Sequence, residues 1–190
     1  MKIPIEVSAR HCHLSQKDLE ELFGPGYQLR PLRQLSQKGQ YAAEETVTVK
    51  TEKGKIERVR IVGPLREFTQ VELSKTDCRR LGIDPPVLEC TSVRGDKLPA
   101  EVEIVGPRGS IRRVAAIVAH RHIHCDPETA KQQGWKNGDL VSVKVSGERA
   151  VTFHRVLIRV HPDFRLMMQV DTDEANAAGI KDQTEGELVE

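Results

Sequence analysis

The pattern Arg-His-x-His occurs twice in this chain, each time in the same local setting. Arg10-His11-Cys12-His13 stands near the start and Arg121-His122-Ile123-His124 past the middle. Each copy follows an apolar, strand-like run and precedes a helix-start signal, Ser15 in one case and Asp126 in the other. Side chains two apart on an extended segment share a face. Two imidazoles so placed can reach one ion at the Zn–N distance of about 2.0–2.1 Å. Four of the seven histidines fall in these forks, a clustering that chance seldom produces. A metal site is therefore expected, and two forks point to a two-metal site assembled from distant halves of the chain. Nitrogen and oxygen ligands without a cysteine pair favour zinc, with iron, cobalt or nickel as alternatives.

Composition narrows the function classes. A length of 190 residues fits one compact domain or two small ones. The formal charge of +1 excludes a general nucleic-acid binder, which needs a basic surplus. No apolar run approaches the roughly 20 residues of a membrane span. The start Met-Lys-Ile-Pro-Ile-Glu-Val alternates apolar and polar residues and lacks a secretion signal, so a cytoplasmic protein is expected. The cysteines are Cys12, Cys78, Cys90 and Cys125, with no CxxC pair; in the cytosol they are reduced. Cys12 and Cys125 flank the forks. Each is either a ligand or a small apolar filler pointing away from the ion, and the filler is favoured.

Short strand signals dominate: Ile3 to Val7, Glu45 to Lys50, the runs around Val59 and Ile61 and around Val102 and Ile104, and Val141 to Val145. Ser146-Gly147-Glu148 reads as a hairpin turn into Ala150 to Val160. Such frequent short strands suggest closed barrels. The helices are short and carry start and stop signals: Ser15 to Gly24, Ser74 to Gly82, Asp126 with Pro127 to Gly134, and Asp171 or Thr172 to Gly179. The helix starts after the forks either favour an anion or simply cap. Ile61-Val62-Gly63-Pro64 recurs as Ile104-Val105-Gly106-Pro107. With the twin forks, this echo hints at a duplication. The stretch 23–43 reads as an excursion or small hairpin, and the acidic tail from Asp182 as frayed.

Two histidines leave a metal short of ligands, and a carboxylate is the natural third at a catalytic site with an open position. The run Gly63 to Ser74 offers Arg66, Glu67 and Glu72. Glu72 lies between Val71 and Leu73, so on a strand it faces away from them, toward solvent or a cleft. Spacing alone does not choose between Glu72 and Glu67.

The runs Val7-Ser8-Ala9-Arg10-His11-Cys12-His13-Leu14-Ser15, Gly63-Pro64-Leu65-Arg66 with Thr69-Gln70-Val71-Glu72, Arg121-His122-Ile123-His124, and Asp171-Thr172-Asp173-Glu174-Ala175-Asn176-Ala177-Ala178 together resemble the PduL-type phosphotransacylases. They occur in order over nearly the whole chain. The resemblance implies a mainly β (α+β) fold of two small β-barrel domains with short capping helices and the active site in the cleft between them. One domain is 10–119, with a small excursion around 24–44; the other is 1–9 plus 120–190. It implies transfer of a short acyl group, propanoyl or similar, between coenzyme A and inorganic phosphate, with two zinc ions. By motif, His11, His13 and Glu72 resemble ligands of one metal and His122 and His124 ligands of the other. Arg66 resembles the arginine that handles phosphate, and Ser8 a phosphate-contacting residue.

One departure stands out. The family usually has a histidine where this chain has Gln169, two residues before Asp171. An amide oxygen is a weaker zinc ligand than imidazole, so the second metal is loosely held, absent, or completed by another group, with His154 and His161 as candidates. Members that enter bacterial microcompartments, including those of propanediol degradation, often carry an N-terminal encapsulation segment. None is visible here, so cytosolic residence, entry through microcompartment partner proteins, or truncation of a longer chain is expected. Coenzyme A phosphates would find basic residues among Lys75, Arg79, Arg80, Arg108, Arg112 and Arg113, none singled out. The alternatives are a metal-dependent acyl-CoA hydrolase and a metal-stabilised binding module with weak or lost activity. The acyl preference, the direction and the oligomeric state, a homo-oligomer included, stay open.

Overall fold

The computed structural model describes residues 1–89, 99–181 and 183–189. In chain order the first half runs β1 (Lys2–Val7), β2 (His11–His13), α1 (Gln16–Phe23), β3 (Pro31–Gln34), β4 (Tyr41–Lys50), β5 (Lys55–Gly63), β6 (Gln70–Glu72), α2 (Lys75–Leu81), β7 (Val87–Leu88) and β8 (Ala100–Val105). The second half runs β9 (Ser110–Ala119), β10 (His122–Cys125), α3 (Pro127–Gln133), β11 (Leu140–Val145), β12 (Val151–Val160), β13 (Met167–Val170), α4 (Thr172–Ala178) and β14 (Glu185–Val189). The fold is mainly β, with four short helices among the described residues. It divides into two compact units, 1–9 with 36–38 and 120–190, and 10–35 with 39–119.

The central unit is a closed barrel in the order β4-β5-β2-β6-β9-β8, with β8 returning to β4. β3 extends from β4 and β7 from β9. Alternation along the strands sends one face inward: Cys12, Val47, Val49, Val59, Ile61, Val71, Val102 and Ile104 share one buried core with Leu19 and Leu22 of α1. The terminal unit closes in the order β1-β13-β10-β12-β11-β14. Its core gathers Ile3, Ile5, Ile123, Val143, Phe153, Ile158 and Met168.

The two barrels repeat one plan. Each fork strand lies parallel to one neighbour and antiparallel to another: β2 between β5 and β6, β10 between β12 and β13. A bulge interrupts β4 against β5 between Val47 and Val49, and β11 against β12 between Val141 and Val143. Beside these bulges Arg58 and Arg155 take left-handed backbone angles, φ 55° and 57°, rare for non-glycine residues. The first strand of each half joins the barrel of the other half. β1 leads into β2 but pairs with β13 and β14; β9 leads into β10 but pairs with β6 and β8.

Two expectations are corrected. The Ile-Val-Gly-Pro echo is not part of the duplication, because both copies lie in the central barrel, ending β5 and β8. The counterpart of Ile61 is Ile158: one faces Cys12 and the other Ile123, the middle residues of the forks. Each glycine of the echo answers a local need. A Cβ on Gly63 would stand 2.3 Å from the Tyr41 ring. Within the tail, Glu185–Val189 does not fray: as β14 it pairs with β1 on one side and β11 on the other. Its acidic residues face outward while Gly186 is buried, which is how an acidic composition hides a strand. The 24–44 stretch holds β3, exposed and paired with the start of β4. No helix among the described residues is long and apolar enough to cross a membrane.

Candidate metal centre

In the central barrel β2 turns Cys12 into the core and leaves His11 and His13 on the opposite face. Their Nε2 atoms lie 3.1 Å apart. Across the strand pair, His11 faces Glu72 on β6. The Glu72 oxygens lie 3.5 Å from His11 Nε2 and 3.7 Å from His13 Nε2. Donors on a tetrahedral ion at 2.0–2.1 Å lie roughly 3.3–3.4 Å from one another, so the three atoms match the face of such a site. This is the one group of three such side chains gathered within 4.8 Å among the described residues. Glu67 is exposed, so pairing with His11 singles out Glu72 where spacing could not.

The protonation states suit a cation. Burial, joined by His11 and Arg66, pushes His13 well below its ordinary 6.5, so its ring is neutral at neutral pH. His13 Nδ1 lies 3.0 Å from the Val62 carbonyl. A carbonyl only accepts, so Nδ1 carries the proton and Nε2 keeps its lone pair. Burial opposes ionisation of Glu72, but His11, through its charge and a hydrogen bond, together with Arg66 outweighs it and holds the carboxyl far below the usual range. Arg66 is half-buried. Its backbone N–H donates to the Leu14 carbonyl and its Nη1 to Gln70 Oε1 at 3.3 Å. The guanidinium is thus held beside the triad by β6 itself.

The second fork repeats the first. His122 and His124 are buried, with Nε2 atoms 3.1 Å apart, and His122 Nδ1 lies 2.8 Å from the His120 carbonyl. His122 faces Gln169 on β13 as His11 faces Glu72 on β6. The amide therefore occupies the place of the carboxylate. The proposed rescuers do not join the fork. His154 is exposed and meets Ser142. His161 is exposed and stacks on Phe164, whose other ring contact is His124. Ser8, at the end of β1, donates its N–H to the Val170 carbonyl in the terminal barrel.

The flanking cysteines are fillers. Cys12 and Cys125 belong to the barrel cores. Burial raises both thiols, Cys125 to about 11 and Cys12 further, so neither is a thiolate at neutral pH. Cys90 lies outside the described residues. The helix starts after the forks are taken up by their own caps. Ser15 Oγ receives the Asp18 N–H, and Asp126 Oδ1 receives those of Glu128 and Thr129. Of the basic candidates for nucleotide phosphates, Lys75 pairs with Asp84 and Arg113 with Asp18.

The arginine that opens each fork has a role that sequence reasoning left unassigned. Arg10 pairs with Asp77 at 2.5 Å, and Arg121 with Glu174 at 2.9 Å. Both acids sit at the third helical position of a capping box, on α2 and α4, just after the strand opposite the fork. Each arginine ties its fork to the helix that follows Glu72 or Gln169. The repeated Arg, together with Ser-x-x-Asp and Asp-x-x-Glu after the third-ligand position, was the available signal.

A family model described as phosphate propanoyltransferase matches residues 4–181. A phosphate propanoyltransferase of Thermotoga maritima is 51% identical over 178 residues, covering 93% of this chain and 83% of that protein. One of Priestia megaterium is 50% identical, covering 92% and 80%, and one of Salmonella typhimurium is 46% identical, covering 93% and 83%. Matches of this extent, over a chain whose two histidine forks sit in matching barrel walls, show that it belongs to the phosphate propanoyltransferase family.

Proposed function

We propose that the chain is a metal-assisted phosphate acyltransferase that moves a propanoyl or similar short acyl group between coenzyme A and inorganic phosphate. The observation that carries this reading is the buried His11–His13–Glu72 triad with Arg66 at its side. A divalent ion there, zinc by the chemistry of the donor set, supplies Lewis-acid stabilisation of developing negative charge. The residues do the rest. His13 stays neutral and oriented by Val62, Glu72 stays ionised, and Arg66 offers a planar fork that fits phosphate oxygens. Ser8 is assigned a further phosphate contact. His122, His124 and Gln169 are assigned a second, weaker ion.

The reaction is a direct displacement. A phosphate oxygen bonds to the acyl carbon, the carbon–sulfur bond breaks, and the departing sulfur takes up the phosphate proton, giving acyl phosphate and coenzyme A. Holding the two reactants in line supplies much of the rate. The buried, protonated Cys12 and Cys125 support a route without an acyl-enzyme. Such a protein works in the cytoplasm, free or within a bacterial microcompartment, which cell fractionation tests.

The test measures thiol release from propanoyl-CoA with and without phosphate, before and after chelation. Release should need both phosphate and metal, and Arg66→Ala should lower it by about 10²–10³-fold. Release independent of phosphate would show a hydrolase. Metal bound without any release would show a binding module.

A further inference from the structure

The two forks differ in where they keep a carboxylate. Around the first, the strands read β2, β6, β9, and the residues in register are His11, Glu72 and Ile117. Around the second, they read β10, β13, β1, and the residues are His122, Gln169 and Glu6. Each set of three holds one carboxylate, but in the terminal barrel it has moved one strand outward. The aliphatic Ile117 is fully buried, whereas Glu6 is half-buried and engaged. Gln169 Nε2 lies 2.8 Å from Glu6 Oε2, and Ser36 Oγ donates to that same oxygen at 2.6 Å.

A carboxylate only accepts, so it fixes which end of the Gln169 amide faces it. The NH₂ group points to Glu6 on β1. The carbonyl oxygen is then the end that Glu6 does not engage, and β10, with His122 and His124, flanks β13 on the side opposite β1. An amide left to itself would present either end, and its nitrogen is no ligand. Fixing the oxygen end removes that ambiguity, and the charge beyond the amide polarises it toward its oxygen.

We propose that Glu6 is the positioning residue of the second fork, holding Gln169 so that its amide oxygen serves as the third donor to a divalent ion. The inference rests on the reading of the second fork as a metal site.

The experiment titrates zinc into metal-free full-length chain against a chromophoric chelator, counting ions per chain and the affinity of each. Cobalt spectra report the donor set, and circular dichroism reports the fold. The unaltered chain should bind two ions, one more weakly. Glu6→Ala should weaken only that second ion, by about 10–100-fold. Glu6→Gln keeps an accepting oxygen and should restore most of the loss. Gln169→Glu alone sets two carboxylates side by side. Combined with Glu6→Ile it rebuilds the arrangement of the first fork and should move the second ion's affinity toward that of the first. Two ions with Glu6→Ala unaltered, or with Glu6→Ala and Glu6→Gln equally impaired, would remove the role of Glu6 alone. One ion in the unaltered chain, and still one in the double variant, would remove the second fork as a metal site and this inference with it. One ion in the unaltered chain but two in the double variant would overturn the role of Glu6 and of the amide while keeping the fork as a potential site.

Discussion

The central and terminal barrels share strand pairing, bulges, capping boxes and arginine ties, yet among the described residues only the central one gathers three histidine or carboxylate side chains. Glu72 and Gln169 occupy the same register position opposite a histidine fork. The shared architecture therefore leaves the two forks differing in the one side chain that faces each of them. A second difference lies in the helix after each fork. In α1, Asp18 reaches across the barrel to Arg113 at 2.6 Å and accepts from Thr69 Oγ1. The matching position of α3 is Thr129, whose hydroxyl reaches only its own cap, Asp126. The barrel whose fork faces a carboxylate also has the more heavily cross-braced fork. Thr69, which accepts the Ser15 N–H and donates to Asp18, lies in the same short segment as Arg66 and Glu72.

The comparison can be broken most directly at Glu72. Glu72→Gln gives the first fork the donor set of the second, and phosphate-dependent thiol release should fall by about 10²–10³-fold. If rate and metal affinity both survive, the carboxylate is not what separates the barrels. The brace comes next. Asp18→Asn removes the buried charge that the part-exposed Arg113 pairs with, leaving it Glu21 at 3.6 Å, and should cost about 1–2 kcal/mol in denaturant unfolding. Thr129→Val, at the matching position, should cost about 1 kcal/mol or less, since one local hydrogen bond is lost. Equal costs would mean that the two forks are braced alike.

Acid should separate the same two positions. Burial raises the Asp18 carboxyl, but hydrogen bonds from Arg113 and Thr69 outweigh it and leave the group below its ordinary 3.8. Its contribution is present above that pH and is lost as pH falls through the lower, folded value. The stability gap between the unaltered protein and Asp18→Asn should therefore close in strong acid, whereas that for Thr129→Val should not. The smallest effect belongs to the fork arginines. Arg10 is well exposed but its partner Asp77 is nearly fully buried, whereas Glu174 is about one-fifth exposed, so Arg10→Ala should destabilise by roughly 0.5–1 kcal/mol and Arg121→Ala by less. The reverse order would show that the terminal fork depends more on its tie.

The local signals of this chain were strong where one short segment decides the outcome. Ser15, Ser74, Asp126 and Asp171 cap the four helices, and Gly24, Gly82, Gly134 and Gly179 end them, because capping needs only a side-chain oxygen and a few backbone N–H groups nearby. Three-residue strands such as β2 and β6 were not separable from loops, since so few residues carry no period. β14 was missed because its acidic composition spoke louder than its alternation.

The residue order pointed to two pairs of imidazoles that would each share a face wherever the backbone runs extended. It also determined the caps and most of the longer strands. The three-dimensional fold added the pairing of Glu72 on β6 with His11, while Glu67, of the same chemistry, lies in the exposed bend before that strand. It alone also revealed that β1 and β9 exchange barrels, and that Gln169 has a carboxylate at its back. Pairing between strands far apart in the chain is set by the burial of whole faces, a sum over the entire barrel that no local stretch of residues contains.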